Sequence, residues 1–277
     1  MRAVVIRMAP FLVALLFAFP ARSAPALERA WIARSAPTRI MTLGDSITAG
    51  VGIDGRDTGS GGYRAELVRL LARDGYHFEM VGGRSDYSGM LEQRHHEGWP
   101  GYVVRSMPSD PAPQLFGRLT RDAVTAADPD VILLMAGTND LLRMMRHSEG
   151  YTLENIIFSM NELLAEIFTL KPNVTVIVAG VVASPRIAAA DVARFDGTTG
   201  AGDAGGPSVR DLVAMYAHHG FRIAYAQEMA DAVPRDTAHF PDGIHPCGGG
   251  GYALVARAWM DALEGVTART TGAVATR

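Results

Sequence analysis

Five apolar runs, at residues 40–43, 78–81, 131–136, 174–179 and 221–225, are rich in β-branched and large aliphatic residues and are nearly continuous rather than alternating. A strand with one wet face alternates apolar and polar residues; one covered on both faces does not. Helical periodicity fills the intervals, at 63–73, 114–126, 153–170, 208–219 and 251–263. It is clearest where Leu153, Ile156, Ile157, Met160, Leu163, Leu164, Ile167 and Phe168 recur at helical spacing until Lys171-Pro172-Asn173 stops them. Buried strands alternating with helices require a parallel sheet with helices on both sides. The expectation is one doubly wound α/β/α domain over residues 38–265, with a parallel, flavodoxin-like five-stranded sheet, no second domain and no internal repeat.

Such sheets bind ligands beyond the carboxyl ends of their strands, so the residues that follow each strand are the ones to read for chemistry. Gly44-Asp45-Ser46-Ile47-Thr48 follows the first strand, and Asp242-Gly243-Ile244-His245-Pro246 precedes the last helix. A neutral serine is a poor nucleophile; it needs a base in hydrogen-bond reach, and that base needs a group that fixes its tautomer. Ser46 is the candidate nucleophile, His245 the base and Asp242 the orienting carboxylate. Pro241 and Pro246 bracket the last two in a short loop outside regular helix. Together these residues read as a serine esterase. The strained Gly-x-Ser-x-Gly elbow of α/β-hydrolases is absent, because Thr48 stands where its second glycine would be.

Two further blocks carry a resemblance. Gly44-Asp45-Ser46, Gly98-Trp99-Pro100-Gly101, Gly137-Thr138-Asn139-Asp140 and Asp242-x-x-His245 occur in that order and resemble the four blocks of the SGNH (GDSL) hydrolases. Gly-Asp-Ser-Ile-Thr, Gly62-Tyr63-Arg64, His96-Glu97-Gly98-Trp99-Pro100-Gly101 and Asp-Gly-Ile-His-Pro are similar to the acetyl xylan esterases of carbohydrate esterase family 3. The resemblance spans roughly residues 38–264. It implies an oxyanion hole built from the backbone N–H groups of Ser46 and Gly101 and the side-chain amide of Asn139. One departure is Ser184-Pro185-Arg186 after the fourth strand, where family members often carry an asparagine-containing segment. It leads into the glycine-rich stretch 197–207, expected to shape the alcohol side of the cleft.

Arg2 and Arg7, the apolar run 8–19 and the small residues of Ala21-Arg22-Ser23 have the layout of a secretory signal peptide over residues 1–23. A linker is expected over 24–37 and a C-terminal tail over 266–277. Some 12 apolar residues are too few to span about 30 Å of hydrocarbon, so stable membrane anchoring is not expected and the protein is read as secreted or periplasmic. Removal of residues 1–23 leaves 23 basic residues against 29 acidic ones, a net charge of −6, which offers nothing to nucleic acid. A single cysteine, Cys247, excludes an internal disulfide and reads as a small buried hydrophobe.

No cofactor or metal is expected. Gly50-Val51-Gly52-Ile53-Asp54-Gly55 matches a dinucleotide fingerprint in letters, but Arg56 to Gly62 opens no helix to hold a pyrophosphate. His95 and His96 are adjacent and lack a third ligand at usable spacing; they are expected at the pocket rim. Arg143, Met144, Met145 and His147 line the cleft or face solvent. The function implied is an exported esterase that removes short acyl groups, acetyl foremost, from carbohydrate or another small ester substrate. A lysophospholipase or thioesterase of the same superfamily is the alternative within hydrolases. A non-catalytic carbohydrate-binding module is the alternative outside them.

Overall fold

In the computed structural model, β1 (Thr38–Gly44) is buried along nearly its whole length and is an interior strand of a parallel sheet. The described residues are 37–197 and 207–272, so the proposed signal peptide, nearly all of the linker and most of the glycine-rich loop lie outside them. The other strands are β2 (Phe78–Val81), the two-residue β3 (Glu97–Gly98), β4 (Val131–Met135), β5 (Thr175–Ala179) and β6 (Ile223–Tyr225). The order is β2-β1-β4-β5-β6, with β3 also on β1, and every pairing is parallel. Setting β3 aside, this is the flavodoxin-like order expected from the alternation of elements.

Both faces are covered, as the near-continuous apolar strands require. Ile40, Val131, Leu133 and Ile177 face Tyr63, Leu67 and Leu71 of α2 (Tyr63–Arg73) and Val255, Trp259 and Leu263 of α8 (Gly251–Gly272). On the other face Met41, Leu43, Ile132, Leu134, Val176 and Val178 meet α3 (Arg118–Ala127), α5 (Leu153–Leu170) and α7 (Val209–His218). Alternate strand residues point to opposite faces, so each strand serves both cores.

Three short helices lack a legible periodicity: α1 (Ser46–Ala49), α4 (Thr138–Met145) and α6 (Ala189–Asp196). One to two turns are too short for a face to repeat. The helix expected from residue 114 begins at Arg118, because Gly117 sits at φ 92° as its N-cap and the Gln114 side chain instead accepts from the Ser106 N–H at 2.7 Å. The last helix continues to Gly272, beyond residue 263. Among the described residues no helix is long and apolar enough to cross a membrane.

The register decides where the chemistry can be. Gly44, the last residue of β1, lies opposite Met135 of β4 and Gly98 of β3. The loops after all three strands therefore leave the sheet at one end, side by side. The two glycines are needed for this close approach. A Cβ on Gly44 would lie 2.1 Å from the Met135 carbonyl oxygen, and one on Gly98 would lie 2.3 Å from the Ala49 nitrogen.

Candidate active site

Directly after β1 the chain turns into the single-turn helix α1, with Ser46 as its first residue. Asp45 caps it: Oδ1 accepts the Ile47 N–H at 2.9 Å. Gly50, in the left-handed conformation at φ 84°, closes the turn. The carbonyls at its C-terminal end are taken by a buried arginine, since Arg64 Nε donates to Thr48 O at 2.9 Å and Nη2 to Ala49 O at 2.8 Å. A cation at the C-terminus also suits the helix dipole. Burial pushes the Arg64 guanidinium down to about 10. The Gly-Tyr-Arg signal at 62–64 thus has a physical account: it braces the turn that carries the serine.

The loop from Pro241 to Cys247 delivers the other two groups. His245 Nε2 is 2.9 Å from Ser46 Oγ, and His245 Nδ1 is 2.6 Å from Asp242 Oδ2. The other carboxylate oxygen, Oδ1, accepts the N–H groups of Ile244 at 2.9 Å and His245 at 2.8 Å. Burial works to raise the Asp242 pKa, but these donors and the ring outweigh it and hold the carboxyl below its ordinary range. With Asp242 ionised, Nδ1 carries the proton and Nε2 is left with a lone pair facing the serine hydroxyl. All three residues are largely shielded from solvent, and the ring retains 12% exposure.

Three loops converge around Ser46. Gly101 has φ +81° and open space where a side chain would project. Its glycine identity therefore follows from the left-handed backbone, rather than from crowding. The Gly98 N–H is already given to His96 Nδ1 at 3.0 Å, whereas neither Gly101 nor Ser46 donates its N–H to a described residue. From α4, Asn139 Nδ2 donates to Tyr102 O at 2.8 Å, which uses one of the two amide hydrogens.

Sequence reading missed the groups that hold this loop. His96 is fully buried, not at a rim: Nδ1 accepts from Gly98 and Nε2 donates to Asp86 O at 2.8 Å. Burial takes its pKa down to about 3, so it is a neutral brace. Glu97, also buried, accepts from Trp99 Nε1 at 3.0 Å and from the Gly83 N–H, while Arg84 lies 4.2 Å over the Trp99 ring. Trp99 N–H donates to Gly44 O at 2.8 Å. Arg143 pairs with Asp110 at 2.5 Å. Among the described residues no cluster of three His, Cys, Asp or Glu side chains could hold a metal ion.

Asp140 is the least expected of these groups. It is fully buried, and its two oxygens receive the Val104 N–H at 3.2 and 3.0 Å. Asn139 and Asp140 thus grip Tyr102 and Val104, on the far side of Gly101 from the Trp99 contact. Burial raises the Asp140 pKa to about 7 against the pull of its N–H donors, with the nearby Asp45 carboxyl adding to the rise. Between about pH 4 and that value the folded protein keeps a proton that the unfolded chain has released, so stability falls as pH rises through this window. Asp140→Asn removes the ionisation and keeps an acceptor for Val104. Its stability relative to the parent is expected to be higher at pH 8 than at pH 5 in urea unfolding. An identical difference at both pH values would refute the buried, protonated carboxyl.

A separate cavity of about 830 Å³ opens between β2 and α3, lined by Met80, Trp99, Tyr102, Gln114 and Leu119 among others. None of Ser46, Asp242 or His245 lines it. The hydrogen-bonded trio is what marks the site, not this cavity.

The sheet order defines a flavodoxin-like α/β chain, with the four blocks at one end of it and a serine–imidazole–carboxylate chain among them. The GDSL-like lipase/acylhydrolase family matches residues 42–250, and the protein belongs to that family. A multidomain esterase from Ruminococcus flavefaciens is 27% identical over 266 residues, covering 90% of this chain; the chain spans 31% of that relative's length. A family 3 carbohydrate esterase from Clostridium thermocellum superposes with a TM-score of 0.60 at 24% identity, over 84% of this chain and 98% of its own. A family 3 carbohydrate esterase from Talaromyces cellulolyticus gives 0.63 at 19% identity, over 84% and 99%. An acetylxylan esterase from Geobacillus stearothermophilus gives 0.55 at 19%, over 82% and 95%. At these identities the structural likeness speaks for the fold.

Proposed function

We propose that this protein is an exported serine esterase that releases short acyl groups, acetyl foremost, from carbohydrate. The observation that carries the chemistry is the unbroken chain Ser46 Oγ–His245 Nε2, His245 Nδ1–Asp242 Oδ2 at 2.9 and 2.6 Å. Ser46 Oγ attacks the ester carbonyl carbon while its proton passes to His245 Nε2. The carbonyl oxygen becomes an oxyanion, met by the N–H groups of Ser46 and Gly101 and the free amide hydrogen of Asn139; one such donor is worth about 3–4 kcal/mol. Collapse breaks the bond to the alcohol oxygen, which takes the proton from His245. Water then repeats the sequence on the acyl-enzyme and releases the acid. Asp242 keeps the ring in the right tautomer and stabilises it when charged.

The carbohydrate substrate is supported by the relatives named for carbohydrate and xylan esters and by the blocks around Gly62-Tyr63-Arg64 and His96–Gly101. Export rests on the leader-like residues 1–23. Incubation with acetylated xylan should release acetate, and 4-nitrophenyl acetate should be cleaved faster than the palmitate ester. Faster cleavage of the long ester, with no acetate from xylan, would favour the lysophospholipase or thioesterase alternative instead.

A further inference from the structure

Residues 183–187, between β5 and α6, are tied down at several points. Ala183 N–H donates to Ala230 O at 3.1 Å, Ile187 N–H to Ser184 O at 3.2 Å, and Arg235 Nη2 to the carbonyls of Ser184 at 3.1 Å and Ile187 at 2.5 Å. Ala183 and Ile187 are buried, while Pro185 and Arg186 are exposed between them. The exposed tip is fastened to the loop that carries the imidazole: Arg186 N–H donates to Gly243 O at 3.2 Å. Its side chain follows. The Cγ and Nε of Arg186 lie 3.0 and 3.1 Å from the point where a Cβ on Gly243 would be. Gly243 is at φ +79° between Asp242 and His245, so its bare face is what lets the arginine stem lie there.

Two charges beside it are already committed. Asp242 is occupied by the ring and two N–H groups, and Arg235 is spent on carbonyls. Arg39, Arg84, Arg105, Arg118 and Arg143 each face a carboxylate. Among the described residues Arg186 faces none. The chain as a whole is net acidic, so any attraction for an anion at this point is local.

The direction of the reaction says which half of a substrate meets this cation. His245 must return its proton to the leaving alcohol oxygen, so the alcohol lies against the His245 loop; the acyl oxygen lies toward Gly101 and Asn139. We propose that Arg186 is a specificity determinant for the alcohol half, favouring acylated saccharides that carry a carboxylate, of the uronic acid class, near the ester. This rests on the esterase reading above and adds a substrate feature to it. A guanidinium offers such a carboxylate two parallel N–H donors.

The test compares a matched pair, methyl 3-O-acetyl-glucuronoside and methyl 3-O-acetyl-glucoside, which differ only in a carboxylate against a hydroxymethyl group. At low salt kcat/KM is expected to favour the uronoside by about twofold to fivefold, the upper part of the range of an exposed ion pair, and the ratio should approach one at about 0.5 M NaCl. Arg186→Gln should abolish the preference while leaving 4-nitrophenyl acetate hydrolysis unchanged, and Arg186→Glu should reverse it. Equal rates on the pair, or a preference that survives Arg186→Gln, would overturn the proposal and leave the esterase intact. Cleavage of 4-nitrophenyl acetate without either sugar ester would refute the saccharide placement. No cleavage of any of the three would remove the esterase reading itself.

Discussion

Ser46→Ala is expected to lower kcat for a short acyl ester by about 10⁶, the scale seen when the nucleophile of a serine–histidine–carboxylate chain is removed. The fold should be unaffected. Asp45, not the Ser46 hydroxyl, caps α1 through the Ile47 N–H, and alanine is the better helix former. The Ser46 backbone N–H also remains. A residual rate of about 10³–10⁴ over water is therefore expected from the oxyanion donors and substrate positioning alone. The check is steady-state turnover of 4-nitrophenyl acetate by the purified variant, beside its circular dichroism and thermal midpoint. Turnover at the parent rate in a folded Ser46→Ala protein would end the serine mechanism.

Asn139→Ala is expected to lower kcat by about 10²–10³ with little change in KM. The negative charge that the amide meets exists only in the tetrahedral intermediate and the transition states on either side, so its loss acts on the barrier and not on ground-state binding. The substitution also removes the Asn139–Tyr102 hydrogen bond. Val104 stays on Asp140 and Trp99 on Gly44, so the Gly101 loop keeps both of these ties and substrate should still dock. Asn139→Asp should be more damaging, because a carboxylate would confront the developing oxyanion. A rise in KM alone, with kcat preserved, would make Asn139 a binding or turn residue and remove it from the hole.

What could be read from the chain, and what could not, divides along physical lines. Val131 to Met135 and Leu153 to Phe168 betray their state because burial on two faces, or on one helical stripe, forces a repeating choice of apolar residues. The motif residues Ser46, Asn139, Asp242 and His245 are visible for a related reason. Their chemistry admits few residue types, so the types and the order of the blocks are informative even before their distances are known. The two-residue β3 and the short helix α4 leave no such pattern.

Other facts follow only from bringing distant segments together. His96 reads as a rim histidine beside a glycine block, yet register on β1 buries it and turns both its ring nitrogens to backbone groups. Arg64 is part of a recognisable triplet, but its partners at Thr48 and Ala49 exist only once α2 packs against α1. Asp140 acquires its raised pKa, and Arg186 its place on Gly243, from neighbours far away in the chain. Periodicity and residue chemistry act within a few residues of chain and are therefore written in it. Burial and charge environment depend on which segments the sheet brings alongside one another, and those relations come into being only with the folded structure.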